Sequence, residues 1–263
     1  MTNDLVFLSV FQGIAEFLPI SSNGHMVVLG KLFGISTSGF QMHVALHFGS
    51  LLALFIYFFK DLCLMIFGLW VYDVKGLKKH PARRYRDLAW ILVLSSIPAM
   101  LIGFFVKKYY GSTAESLTVI GIASIVCGIL LIIADANPVN DNFPTYKNGF
   151  LIGLFQCLAF IPGASRSGMC ITLARFCGLS RVEATRFSFL MAIPTILGAC
   201  TLVALDTPNF KELFGPNQLI LMGAIAGLGI LTIQTLLWFL KKFSFVFFGI
   251  YRIIFGIFLL WFL

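Results

Sequence analysis

Six runs of this chain, roughly 44–59, 88–106, 117–135, 185–205, 218–240 and 244–263, qualify as helices that cross a bilayer, which takes about 20 mostly apolar residues. Composition points the same way. Hydrophobic residues make up 59% of the chain and charged residues only 11%, against about 25% charged in a soluble domain. A soluble protein of this length could not cover its surface with so few charges, so lipid is the expected solvent. The expected fold class is all-α: a polytopic membrane helical bundle, one integral membrane domain over 1–263.

The formal net charge of +8 is unevenly placed. Lys75, Lys78, Lys79, Arg83, Arg84 and Arg86 share one short loop. Between two apolar spans such a cluster marks a cytoplasmic loop by the positive-inside bias, and no nucleic-acid partner is expected. Lys107-Lys108 and Lys241-Lys242 blur the orientation count. The six cysteines contain no CxxC pair and lie in apolar stretches. They read as small buried hydrophobes, without a disulfide framework or a zinc site. The first residues lack a basic n-region, and Gln12 and Glu16 interrupt their apolar run. They are expected to stay in the mature protein rather than leave as a signal peptide.

Segments 5–18, 25–34, 62–72 and 148–162 are apolar but too short or too interrupted to span. They predict re-entrant helices that turn back partway. Pro19 stops one and is followed by Ser21-Ser22-Asn23-Gly24-His25; Pro162 stops another and is followed by Gly163-Ala164-Ser165-Arg166-Ser167-Gly168. Irregular backbone at membrane depth is tolerated only inside protein or beside a watery cavity. Both breaks are therefore expected to line one internal site. They are also alike: FQGIAEFLPISSNGHM (11–26) parallels FQCLAFIPGASRSGM (155–169) with one gap, at Glu16. A second echo, FGSLLAL (48–54) against FSFLMAI (187–193), keeps the same order. Two ordered echoes predict an internal duplication, with halves near 1–135 and 148–263, and a site at the repeat interface.

The polar residues at the breaks suggest chemistry. Gln12 and Glu16 are four apart and share a helix face; an intramembrane carboxylate calls for a partner or a cation. Ser21 suits helix capping. Ser22 suits nucleophilic attack, with His25 three residues on as a base within reach. Arg166, flanked by Ser165 and Ser167 and then by Gly163 and Gly168, has the composition of a phosphate cradle. It could equally pair with Glu16, and an anion could satisfy both readings. His43 and His47 read as polar packing rather than metal ligands. Ser180 and Glu183 read as a capping box. Arg175, Arg181 and Arg186 are expected near the membrane surface or anionic head groups, and Asp61, Asp73 and Asp87 as loop or interface charges.

Taken together, Gln12-Gly13-Ile14-Ala15-Glu16-Phe17-Leu18-Pro19-Ile20-Ser21-Ser22-Asn23-Gly24-His25 and Pro162-Gly163-Ala164-Ser165-Arg166-Ser167-Gly168 resemble the signatures of the undecaprenyl-diphosphate phosphatases of the bacitracin-resistance family. Leu46-His47-Phe48-Gly49-Ser50, Ser96-Ile97-Pro98-Ala99 and Phe187 to Pro194 extend the resemblance along essentially the whole chain. It implies inverted-topology repeats with re-entrant helices in a bacterial plasma membrane, and a site opening to the outer face. It implies hydrolysis of a polyprenyl diphosphate lipid, undecaprenyl diphosphate, to undecaprenyl phosphate and inorganic phosphate. That recycles the carrier of cell-wall synthesis and confers bacitracin resistance. A divalent cation, magnesium or calcium, is implied, with Glu16 and Gln12 as its ligands; many members have Glu where this chain has Gln12. Ser22 matches the nucleophile or the group that orients water, His25 its acid/base partner, and Arg166 the phosphate-binding arginine, with Ser165, Ser167, Gly163, Gly168 and Ser21 around the phosphate. His43 stands where members often have an acidic residue and is assigned no role. A lipid or anion transporter or flippase on the same repeats is the alternative. The oligomeric state is not legible.

Overall fold

The computed structural model describes residues 3–34, 40–70, 81–110, 116–140, 144–205 and 214–261. Lys75, Lys78, Lys79 and Asp73, and the side chains of His43, Lys107 and Lys108, lie outside the described residues. The regular elements are all helical: α1 (Asn3–Ala15), α2 (Ser22–Phe33), α3 (Phe40–Tyr57), α4 (Phe59–Trp70), α5 (Pro81–Tyr110), α6 (Leu117–Asp135), α7 (Tyr146–Gln156), α8 (Arg166–Phe176), α9 (Arg181–Leu205), α10 (Pro216–Phe239) and α11 (Val246–Trp261). A 3-10 turn, Cys157–Phe160, follows α7.

Among the described residues four helices are long and apolar enough to cross a membrane, over Ala82–Val106, Leu117–Asp135, Arg181–Leu202 and Pro216–Phe239, while the run expected to span at 244–263 gives only the shorter apolar helix α11. The chain is a multi-pass membrane protein. The runs at 44–59 and 62–72 join as α3 and α4, bent by 72° about Phe58. Helices α5 and α9 begin earlier than their apolar runs, because their charged first turns are helical without being apolar. No apolar run announced α8, which carries Arg166, Ser167, Thr172 and Arg175 along 11 residues. The outer surface is apolar: Phe59 and Trp70 on α4, Leu101 on α5, Ile220 on α10 and Phe247 on α11 are all exposed. A patch of that extent needs lipid against it.

The two short hairpins are α1–α2 and α7–α8. Helices α7 and α8 have 11 residues each, about 16 Å of rise against a core of about 30 Å. They enter and leave on one face. In the segment between α6 and α7, Asn137 Nδ2 donates to the Arg175 carbonyl at 3.1 Å and the Asn140 amide to the Gly178 carbonyl at 2.9 Å, both at the end of α8. Helix α1, 13 residues, and α2, 12 residues, are built to the same scale.

The long helices pack by exchange. Helix α3 lies on α10 as α9 lies on α5, and α1 lies on α10 as α7 lies on α5. Helices α6 and α11 run antiparallel, backbone against backbone. A Cβ on Gly128 would meet the Gly249 carbonyl at 2.8 Å, and one on Gly121 the Gly256 carbonyl at 3.1 Å. Small residues allow this approach where lipid supplies no hydrophobic drive between helices. Gly149 and Gly153 do the same for α7 against α5, where a Cβ on Gly153 would collide with the Ser95 carbonyl.

The arginines expected near the membrane surface are paired with protein groups, Arg175 buried and Arg181 and Arg186 about a third exposed. Arg181 forks onto Asp135 (Nε–Oδ1 2.7 Å, Nη2–Oδ2 3.0 Å), and the Phe245 amide donates to Asp135 Oδ2 at 3.1 Å. Arg175 donates to the carbonyls of Asp135, Asn137 and Leu179. Arg186 bonds Asp61 at 2.8 Å, so Asp61 is an interhelix partner and not a loop charge. Buried charges are tolerated when paired and hydrogen-bonded. Ser180 caps α9 by accepting from the Glu183 amide at 3.2 Å.

Candidate active site

Both breaks use one device. Ser21, at φ 71°, and Ser165, at φ 72°, are the two non-glycine residues with positive φ among the described residues. That backbone costs a side-chain-bearing residue about 1–3 kcal/mol and persists where surroundings over-determine it. Each serine caps the helix it precedes: Ser21 Oγ accepts from the Gly24 amide at 3.4 Å, and Ser165 Oγ from the Gly168 amide at 3.2 Å. The separation of Ser21 from Ser165 in sequence equals that of Gln12 from Gln156, the buried glutamines late in α1 and α7. The gap at Glu16 is thus made up by one residue at Gly163. Only glycine serves there: φ is +92°, and a Cβ would meet the Ile120 carbonyl at 2.6 Å.

The two breaks meet at Glu16. Its Oε1 accepts from Arg166 Nη2 at 3.1 Å. Its Oε2 accepts from Ser22 Oγ at 2.8 Å and from Gln12 Nε2 at 2.9 Å. Arg166 Nη1 is buried and has no hydrogen-bond partner among the described residues. Ser22 and Arg166 each follow a strained serine and each open a helix, α2 or α8. First-turn amides have no acceptor within their own helix, and a helix start favours an anion. A cavity of about 380 Å³ is lined by Gln12, Glu16, Ser21, Ser22, Gly163, Ser165, Arg166 and Ser167, together with His47, Gln156 and Thr195. This is one polar pocket with one carboxylate, one hydroxyl bonded to it, and one guanidinium with an unused donor.

Two expected placements do not hold. His25 does not contact Ser22. Its Nδ1 lies 2.8 Å from the Ser21 carbonyl and its Nε2 2.7 Å from Tyr251 Oη. A carbonyl only accepts, so Nδ1 carries a proton, and in the neutral ring Nε2 accepts from Tyr251. The ring is stacked on Phe255 with centroids 3.9 Å apart. Three-residue spacing puts His25 near Ser22 along the helix, but the helix turns its ring toward α11. Gly168 also falls outside the cavity lining, since its amide serves Ser165. Ser167 lines the cavity while its Oγ donates to the Leu18 carbonyl at 3.1 Å, tying one break to the other.

Sequence reasoning missed Gln156, Thr195, Tyr251 and Arg252, and set His47 aside as packing. Gln156 Nε2 donates to Thr195 Oγ1 at 3.3 Å across the cavity wall. Gln156 was visible as the counterpart of Gln12 in the repeat. Arg252 was visible as the charge within the last apolar run. Nothing in the sequence marked Thr195.

A helical membrane bundle whose two re-entrant breaks bring a serine, a carboxylate and an arginine to one cavity is a polytopic membrane protein with a site suited to a phosphate group. The chain belongs to the family described as bacitracin resistance protein BacA, which it matches over residues 5–258. It is 38% identical over 263 residues to an undecaprenyl-diphosphatase of Alteromonas mediterranea, covering 98% of this chain and 97% of that protein. It is 36% identical over 262 residues to an undecaprenyl-diphosphatase of Hahella chejuensis, covering 96% and 95% respectively.

Proposed function

We propose that the protein hydrolyses undecaprenyl diphosphate to undecaprenyl phosphate and inorganic phosphate, recycling the lipid carrier of cell-wall synthesis and conferring bacitracin resistance. The activity named for its two relatives supports this reading. The observation that carries it is Arg166: one guanidinium nitrogen anchored on Glu16, the other buried, unpaired among the described residues and in the wall of the cavity beside Ser22. An unmatched buried donor is costly, and a terminal phosphate would satisfy it through a charge-assisted bond.

Ser22 Oγ attacks the terminal phosphorus and Glu16 Oε2, its hydrogen-bond partner, takes the proton. The bond from phosphorus to the bridging oxygen breaks, and undecaprenyl phosphate leaves. Water then attacks the phosphoserine, releasing inorganic phosphate and restoring the hydroxyl. Arg166 and the first-turn amides of α2 and α8 hold the phosphoryl oxygens as charge develops on them. His25, with both ring nitrogens engaged, keeps the strained Ser21 turn in place instead of carrying the Ser22 proton.

The apolar tail has a place beside this site. A groove of about 820 Å³ between α5 and α9 shares Ala99, Phe160 and Thr195 with the polar cavity and continues along Val93, Ile97, Phe104 and Leu197. A divalent cation also fits the donor chemistry. Among the described residues no three His, Cys, Asp or Glu side chains converge into a cage, but Mg²⁺ is commonly held by one or two carboxylates plus substrate phosphates. Glu16 and Gln12 would hold it, and it would offset diphosphate charge.

The two halves are read as an inverted duplication, supported by the exchanged packing pairs, the antiparallel α6–α11 contact and the matched strained serines. The cavity is read as opening to the outer side of the bacterial plasma membrane. Arg83, Arg84 and Arg86 stand at the start of α5. Ala99, in the cavity wall, stands 18 residues after Pro81, about 27 Å along the helix. The turn holding Lys241 and Lys242 joins the arginine face, since Phe245 bonds Asp135 beside Arg181. Positive-inside bias makes that face cytoplasmic.

Phosphate release from undecaprenyl diphosphate by purified protein, with and without EDTA, tests the reading alongside Glu16→Ala and Arg166→Ala. Metal-dependent release that both folded variants lose is expected. No release with any metal, from protein that still binds the lipid, would overturn hydrolysis in favour of transport.

A further inference from the structure

We propose that Arg252 of α11 is a positioning residue that locks the two helix breaks to each other, so that Ser22 and Arg166 bear on the same phosphate; this rests on the hydrolytic reading above. Arg252 is fully buried at 0% exposure, within a helix of otherwise apolar and aromatic residues and glycines. A charge there is expensive without compensation. Among the described residues no carboxylate forms an ion pair with it; its two terminal nitrogens donate to backbone carbonyls, while Nε is buried without a hydrogen-bond partner.

Those backbone groups are telling. Arg252 Nη2 donates to the carbonyls of Gly163 at 2.9 Å and Ala164 at 2.8 Å, in the second break. Nη1 reaches the Pro19 carbonyl, in the first break, at 3.4 Å. One planar fork thus gathers three acceptors from two loops more than 140 positions apart. The grip falls immediately upstream of the strained serines: Ala164 precedes Ser165, and Pro19 stands two before Ser21. Ser22 and Arg166 come directly after those serines, so any slip of one break past the other changes the distance between hydroxyl and guanidinium.

Two neighbours complete the device. Tyr251, which precedes Arg252, reaches the first break through His25, whose other nitrogen holds the Ser21 carbonyl. Gly168 leaves room for the guanidinium, for a Cβ there would meet Arg252 Nη1 at 2.7 Å. Arg252 is absent from the cavity lining, so it acts on the reaction through the loops it holds. Helix packing does not demand it. The glycine contacts that pair Gly121 with Gly256 and Gly128 with Gly249 make Ser124 the residue of α6 equivalent to Arg252, and a serine suffices at that position.

A misplacement of about 1 Å at a reacting centre costs about 100-fold in rate. The test uses full-length protein in detergent with undecaprenyl diphosphate, measuring kcat, KM and the thermal unfolding midpoint for wild type, Arg252→Gln and Arg252→Lys. The expected result for Arg252→Gln is kcat lowered about 30- to 100-fold with KM within about threefold, since the cavity contacts to substrate remain. Arg252→Lys keeps the charge but reaches fewer carbonyls, and is expected to recover about a tenth of the wild-type kcat, again at unchanged KM. If Arg252→Gln does not fold, the Lys variant alone decides. Wild-type kcat in a folded Lys or Gln variant would overturn the proposal, as would a loss expressed only in KM, which would mean direct substrate binding. An active wild type with unaffected variants sinks this inference alone; an inactive wild type sinks the hydrolytic reading and this inference with it.

Discussion

Glu16 gathers three hydrogen bonds on two oxygens, from Gln12 on its own helix, Ser22 on the next and Arg166 in the other half of the chain. Its neighbours therefore divide the chemistry. Ser22→Ala is expected to lower phosphate release at least about 10³-fold in a protein of unchanged fold, since it removes the attacking atom. A near-normal rate in that variant would mean that water attacks phosphorus directly. Gln12→Glu adds a second carboxylate beside the first and makes a harder, better-charged cation site. The Mg²⁺ concentration for half-maximal activity should fall several-fold in a metal titration; no change would argue that Gln12 is not a ligand. At this scale Glu16, Ser22 and Arg166 were all legible, because a costly polar residue in an apolar run announces itself. The partner of Ser22 was not legible. Spacing along a helix pointed to His25, whereas the structure turns that imidazole toward Tyr251 and brings Glu16, from across the break, to Ser22.

Among the elements, the two hairpins depend on a backbone that few residues can follow. Gly163 is the tightest point, with φ +92° and its Cα facing the Ile120 carbonyl. Gly163→Ala should destabilise the protein by about 1–3 kcal/mol and depress activity, because relief of the clash moves the second break away from α6. Thermal unfolding in detergent reads the first effect and phosphate release the second. An unshifted midpoint with full activity would show that the turn relaxes freely. The existence of the hairpins followed from Pro19, Pro162 and the short apolar runs around them. Helix α8 did not, since Arg166, Thr172 and Arg175 give it no apolar signature; its helicity rests on burial inside the bundle and on the Ser165 cap.

For the whole molecule, the ionic face built from Asp135, Arg175, Arg181, Asp61 and Arg186 gathers the starts of α9 and α11 and the ends of α6 and α8. With the cysteines replaced, Lys242→Cys is expected to resist a membrane-impermeant maleimide in intact cells and to react after lysis. Labelling in intact cells would invert the orientation and send the cavity to the cytoplasmic side. Membrane residence, the rough extent of four long spans and the likeness of the two breaks were set by sequence alone; of the six runs expected to span, 44–59 proves to be part of the bent pair α3–α4 and 244–263 holds only the 16-residue α11. Lipid leaves a polar residue few places to be, and proline in a short apolar run leaves a helix no way to continue. The meeting of Glu16 with Arg166, the turning of His25 toward α11 and the grip of Arg252 on both loops were decided by tertiary structure. Each joins segments far apart in the chain, and no local pattern records which backbone carbonyl a distant guanidinium will face.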